Sequence, residues 1–255
     1  MNLGELTQTL ERSVLIHAER STVFRYFTDP ARFARWWGAG STIEARPGGG
    51  LRIRYPNGVE ASGTVLEIVA GERIAFSYGY ASGQPIPPGG SRVTITVADH
   101  PRGTLVTLQH AFADPEVRDA HVQGWRFQLA LFSNVVADEQ NSAAAEAADR
   151  WFLAWVEREP GARRAKLAAC AVEDLTFRDR YSCTRGIDDL SAHIAAGQAH
   201  MPGIGIRRDG APRHCQGTVL VDWIMTRPDG TEAARGTNVF SMAPDGRIAE
   251  AVGIW

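Results

Sequence analysis

Side chains that could move protons or hold metals near neutral pH are sparse in this chain: seven histidines and three cysteines among 255 residues. No two histidines stand at HxxxH spacing, and His193 and His200, seven apart, are too distant to share a tetrahedral metal without further ligands. Cys170, Cys183 and Cys215 form no CxxC pair, so zinc-ribbon and dithiol chemistry have no footing. Pro47-Gly48-Gly49-Gly50 is followed by no Lys-Ser/Thr pair and opens no helix, which removes a phosphate loop, and GxSxG is absent. No metal and no cofactor is expected. Acid/base chemistry remains. His193 lies in the amphipathic stretch Ile187 to Gln198, where an imidazole facing a cavity would act near pH 7; the competing reading is a core histidine with both nitrogens satisfied. Upstream, Trp36, Trp37, Tyr55, Phe76, Tyr78, His110, His121 and Trp125 supply large ring surfaces with polar tips, suited to ring-shaped or lipid-like ligands. Any one of them could equally fill a core; as a set they favour a pocket.

These residues fall within a regular order of elements. Val14 and Ile16 alternate with polar neighbours as in a half-buried strand, and Ser21 caps a short helix, Thr22 to Thr28, ended by Asp29-Pro30. A second short helix carries Phe33, Trp36 and Trp37. Six strands follow, Ser41 to Ala45, Leu51 to Tyr55, Ala61 to Ala70, Arg73 to Tyr80, Arg92 to Ala98 and Gly103 to Phe112, separated by glycine-rich turns. The loop Ala81 to Gly90 reads as a flap over an entrance or as a hairpin tip. A long helix from Asp114 to about Val136 places Val117, His121, Trp125, Leu129 and Phe132 at helical spacing. A bent sheet around one helix leaves space that the helix cannot fill.

The polar, alanine-rich stretch 137–148 marks a boundary, giving domains 1–140 and 141–255. Beyond it, helices Ala145 to Glu157, Ala162 to Ala171 and Ile187 to Gln198 surround a strand ending at Asp179. Four strands follow, Ile204 to Arg208, Gly217 to Arg227, Glu232 to Ala243 and Arg247 to Trp255. Strand alternation would set Trp223, Arg235 and Asn238 against a cavity, and an inward arginine implies an anionic or carbonyl-bearing ligand.

Composition excludes several partners. Apolar residues make up 44% and charged residues 22%, as in a folded globular protein, and the net charge of −2 is spread over both halves, which leaves no electrostatic trap for nucleic acid or anionic lipid. No apolar run approaches the roughly 20 residues a bilayer span needs, so no membrane association is expected. Glu5, Glu11 and Arg12 interrupt the start of the chain where a signal peptide would be apolar. The expectation is a cytoplasmic protein with reduced thiols.

The first part resembles the START/Bet v 1-like (SRPBCC) superfamily, in the branch related to the activator of the Hsp90 ATPase. The likeness rests on Trp36-Trp37, Pro47 to Gly50, Asn57-Gly58, Gly63 to Ile68, Gly71, Arg73-Ile74, Gly103-Thr104, His110 and Gly124-Trp125 across residues 10–137. The second resembles the SnoaL-like branch of the NTF2-like superfamily, through Asp174, Phe177-Arg178-Asp179, Gly186, Leu190, His193-Ile194, Pro202-Gly203, Trp223, Arg235-Gly236, Asn238-Val239 and Asp245 to Ile248. Together they imply an α+β chain: a helix-grip antiparallel sheet around a long C-terminal helix, then an NTF2-like α+β cone. They also imply a small hydrophobic ligand of polyketide, steroid or lipid type in one or both cavities. In isomerases of the second family an acidic residue before the glycine that opens the third helix is a general base, and Asp179 matches it; that implies cyclase or isomerase chemistry on a carbon acid. The competing reading pairs Asp179 with Arg178, Arg180 or Arg185. Trp155 matches the family's catalytic tyrosine, with an indole N–H in place of a phenol. The alternative function is a non-catalytic adaptor or co-chaperone-like module whose second domain forms a homodimer through its sheet.

Overall fold

The computed structural model describes residues 5–255; residues 1–4, the beginning of the stretch read against a signal peptide, lie outside it. The chain divides into two compact units at Val136/Ala137.

In the first unit, strand β1 (Gln8–Ile16) leads to helices α1 (Arg20–Thr28) and α2 (Pro30–Trp37). Asp29 ends α1 and caps α2: its Oδ1 accepts the backbone N–H of Ala31 and Arg32 at 2.8 and 3.1 Å, and Pro30 occupies the first helical turn, where it lacks no needed donor. The expected Ser21 cap is not used; Glu19 stands at the N-cap position and its side chain makes no capping hydrogen bond. Strands β2 (Thr42–Ile43), β3 (Gly50–Arg54), β4 (Glu60–Val69), β5 (Arg73–Tyr80), β6 (Ser91–His100) and β7 (Gly103–Phe112) pair antiparallel with β1 in the order β1-β7-β6-β5-β4-β3-β2. The 81–90 connection is tied down: Tyr80 N donates to the Ile86 carbonyl at 2.8 Å and the Ile86 side chain is buried.

The long helix foreseen from Asp114 to Val136 is two helices, α3 (Pro115–Ala120) and α4 (Val122–Gln140). His121 causes the break: its backbone N–H turns to Arg118 O at 3.1 Å while its ring Nδ1–H takes Val117 O, the acceptor a continuous helix would have offered its amide, at 2.7 Å. Trp125, Leu129, Phe132 and Val136 then form the buried face of α4 against the sheet.

The second unit contains helices α5 (Ala144–Val156) and α6 (Pro160–Ala168), strands β8 (Ala171–Arg178) and β9 (Cys183–Arg185), helix α7 (Ile187–His200), and strands β10 (Gly205–Arg208), β11 (Arg213–Cys215), β12 (Thr218–Thr226), β13 (Glu232–Met242) and β14 (Ile248–Ile254). The sheet order is β10-β12-β13-β14-β8-β9, with β11 also on β12 and β14 parallel to β8. Gly186 opens α7 at φ 85°, a left-handed conformation that a side chain would strain. Short strands β9 and β11 were not foreseen, being three residues each. Trp151, Phe177 and Phe240 pack at the centre, with ring centroids 5.4 to 6.0 Å apart around Trp151. Both units are α+β, a helix-grip sheet followed by a curved sheet closed by three helices. Among the described residues no helix is long and apolar enough to cross a membrane, and no three metal-ligating side chains converge.

Candidate functional site

The second unit encloses a cavity of about 880 Å³ between its sheet and helices α5 and α7. Phe152, Phe177, Trp223, Ile206 and Met225 make its walls apolar. Two glycines shape the polar end. Gly236 stands opposite Trp223 in the β12–β13 ladder, and the indole occupies the space a Cβ would need. A Cβ on Gly253 would meet Trp255 at 2.8 Å, Asn238 Oδ1 at 3.4 Å and Asp179 Cβ at 3.5 Å, so those three side chains converge there.

Asp179 follows the end of β8, and its side chain is only 3% exposed. Its Oδ1 accepts the backbone N–H of Tyr181 and Ser182 at 2.7 and 2.8 Å; its Oδ2 faces His193 Nε2 at 3.8 Å, within ion-pair reach but beyond a hydrogen bond. The alternative pairing with Arg178, Arg180 or Arg185 is not made among the described residues: the ion-pair contact of Asp179 is with His193, and Arg178 meets Glu250 at 2.6 Å. The His193 ring lies 6.0 Å from Trp155 and 5.7 Å from Phe177. Trp155 Nε1 is buried without a hydrogen-bond partner among the described residues. Trp223 Nε1 donates to Asn238 Oδ1 at 3.2 Å, leaving the amide nitrogen as the donor end of Asn238. Asp179, His193, Trp155, Trp223 and Asn238 thus line one cavity.

Arg235 does not. In a strand, residues an odd number apart face opposite sides, so Arg235 and Asn238 cannot share a face; Arg235 is 57% exposed and bound to Asp209 and Glu232, each at 2.8 Å. The arginine at the cavity wall is Arg227, beside His200, Met201 and Pro228. Tyr181 and Trp255, ring centroids 6.2 Å apart, stand at the exposed rim. The sequence carried a signal for His200, which repeats the position of His193 two turns along α7. Tyr181 lies beyond the end of β8, where periodicity offers none, whereas Arg227 closes the strand expected from Gly217, and alternation from Trp223 carried a signal for it.

In the first unit Trp37, Tyr55, Tyr78, His121 and Trp125 line a smaller pocket of about 250 Å³, together with Tyr80 and Gln128, which the sequence did not single out. The Tyr55 and Tyr78 hydroxyls are 2.9 Å apart, and burial raises both phenols, Tyr55 to about 12. Tyr80 OH donates to His121 Nε2 at 3.1 Å. Three expected lining residues are core residues instead. Trp36 packs on Phe27, Phe33 and Phe132 and donates its indole N–H to Tyr26 O at 3.4 Å. Phe76 is buried within the same cluster. His110 is consumed internally: Nδ1 accepts from Trp125 Nε1 at 2.9 Å, so Nε2–H donates to Ser91 Oγ at 2.8 Å, and Ser91 in turn donates to Tyr78 O.

Burial, and secondarily the nearby His121, holds the His110 imidazole well below the usual histidine range. The unfolded chain therefore binds this proton at a higher pH than the folded unit. Stability from this group is whole above about pH 6.5 and falls as the pH drops below it, by about 1.4 kcal/mol per unit. Denaturant unfolding at pH 7.5 and 5.5 should show this loss in the wild-type chain and a smaller one in His110→Gln; equal losses in the two proteins would contradict the account.

Residues 17–137 match the family model described as activator of Hsp90 ATPase homolog 1-like protein. Similar solved structures include a protein of the SnoaL-like family from Agrobacterium tumefaciens, 27% identical, covering 45% of this chain and 96% of its own with a TM-score of 0.41. CalU16 from Micromonospora echinospora is 25% identical over 49% of this chain and 70% of its own, with a TM-score of 0.40. A protein from Mesorhizobium loti is 18% identical over 52% and 98%, with a TM-score of 0.46. No curated protein matches the chain. The family-model match spans the part of the chain in which the first resemblance was read.

Proposed function

We propose that the second unit binds a small, largely apolar, ring-shaped or lipid-like molecule and that Asp179 moves a proton on it. The supporting observation is a nearly inaccessible carboxylate at the wall of an apolar cavity of about 880 Å³, one oxygen held by two backbone amides and the other turned to His193. Ligand cavities usually measure about 300–1,000 Å³, so the second unit has the capacity for several fused rings whereas the 250 Å³ pocket of the first takes a single compact ring at most.

In this reading Asp179 Oδ2 takes a proton from a carbon next to a carbonyl, and the C–H electron pair moves onto the carbonyl oxygen. The Trp155 indole N–H and the Asn238 amide are the neutral donors available for that oxygen. Oδ2 then returns the proton to a second carbon, which completes an isomerisation, while His193 balances the charge of the carboxylate when protonated. Thermal unfolding of the full chain with fused-ring aromatic ketones, steroid ketones and fatty acids tests the binding step. One class should stabilise the second unit by about 2.7 kcal/mol at a hundredfold excess over Kd. Unchanged unfolding with all three at high concentration would overturn the proposal.

A further inference from the structure

Polar groups occur at two separated places on the wall of the large cavity. Asp179, His193 and Asn238 gather where β8, β13 and β14 meet, and Arg227, beyond the end of β12, and His200, at the end of α7, supply polar groups elsewhere on the wall. Asn238 is paired across the ladder with Val221, six residues before Arg227, so the backbone of Arg227 stands roughly 20 Å along the strand from the carboxylate end. His193 and His200 are about 10 Å apart along α7. Between them the wall is apolar, formed by Trp223, Met225, Ile206 and Ala234.

Arg227 is held in place by neutral acceptors, Nη1 donating to Glu232 O at 2.7 Å and to Thr231 Oγ1 at 3.4 Å. The nearest acids are otherwise engaged: Asp229 Oδ1 accepts from Thr231 N and Oγ1, and Glu232 is bound to Arg235. Among the described residues no carboxylate lies within 4.0 Å of the Arg227 guanidinium, and Asp229 acts on it only through the field, without a contact. A guanidinium oriented by its neighbours, with no carboxylate in direct contact and at the edge of an apolar cavity, matches a carboxylate on an otherwise apolar molecule.

Resting on the binding role proposed above, we infer that the ligand of the second unit is an elongated apolar molecule carrying a carboxylate at the end remote from Asp179, and that Arg227 receives it. His200 lines the same cavity. The steroid carboxylate deoxycholate, below its micellar concentration, and its uncharged methyl ester make the test, with Kd measured by calorimetry on the full chain. The ester is the more apolar of the two and a purely apolar cavity would prefer it. The expected result is the reverse, a carboxylate preference of about fivefold or more that shrinks as salt is raised, disappears in Arg227→Gln, survives in part in Arg227→Lys, and persists in Arg235→Gln. Equal or weaker binding of the carboxylate by the wild-type chain, or a preference that Arg227→Gln leaves intact, overturns the inference while the cavity keeps its binding role. If neither probe binds, the inference falls, and the thermal test with the ketones and fatty acids decides the binding role separately.

Discussion

Asp179→Asn should leave the second unit folded and abolish its proton transfer. The amide oxygen of asparagine can still accept the N–H groups of Tyr181 and Ser182, so the turn after β8 keeps both hydrogen bonds and the thermal midpoint should move by no more than a few degrees. The other oxygen becomes an NH2 with no basic lone pair, facing His193 across 3.8 Å. Removing a positioned base costs about 10²–10⁴-fold in rate. The readout is deuterium uptake at the carbon next to the carbonyl of whichever fused-ring or steroid ketone the wild-type chain binds, followed by NMR in D2O. Uptake at the wild-type rate in Asp179→Asn, with binding preserved, would remove the carboxylate from the chemistry. His193→Gln should slow uptake less, since it alters the neighbour of the base and leaves the base itself.

Trp36→Ala should be the most damaging single change in the first unit, with a loss of about 3–5 kcal/mol. Trp36 is 1% exposed, its centroid lies 4.7 Å from Phe132 and 4.2 Å from Trp37, and Phe27 and Phe33 meet it edge-on. Truncation leaves a void that aromatic neighbours on α1, α2 and α4 cannot close without leaving their rotamers, and the Tyr26 carbonyl loses its donor. Calorimetry of the full chain should show the transition of the first unit lowered by roughly 10 °C or more. A shift of only a few degrees would mean that Trp36 lines a space and does not fill one. Trp37 gives the contrast, since one helical step turns it about 100° onto the pocket wall beside Tyr55 and Trp125.

That pair illustrates what a sequence can and cannot convey. Element order was legible wherever local chemistry acts alone: Asp29-Pro30 closes one helix and caps the next, Gly186 opens α7, and the spacing of Trp125, Leu129 and Phe132 marks the buried face of α4. The break at His121 was hidden because it depends on a ring nitrogen competing with its own backbone amide. Within the candidate site, parity alone could have excluded Arg235 once Asn238 was placed inward. Trp36, Phe76 and His110 could not be separated from Trp37, Tyr78 and His121 by residue type, because the same rings serve as filling and as lining. Only the closure of the sheet on α4 decides which rings meet one another and which meet open space. Tyr181 lies beyond a strand end, in a position that periodicity does not address, whereas Arg227 closes the strand expected from Gly217, where alternation would set it on the face of Trp223.

The chain has seven tryptophans, and their indole N–H resonances report separately on each part of it. Titration of the ¹⁵N-labelled chain with a steroid or fused-ring ketone should shift the signals of Trp155, Trp223 and Trp255, which line the large cavity, and leave those of the core residues Trp36 and Trp151 in place. Shifts confined to Trp37 and Trp125, or none at Trp155 and Trp223 at saturating ligand, would contradict the claim that the second unit holds the ligand over Asp179.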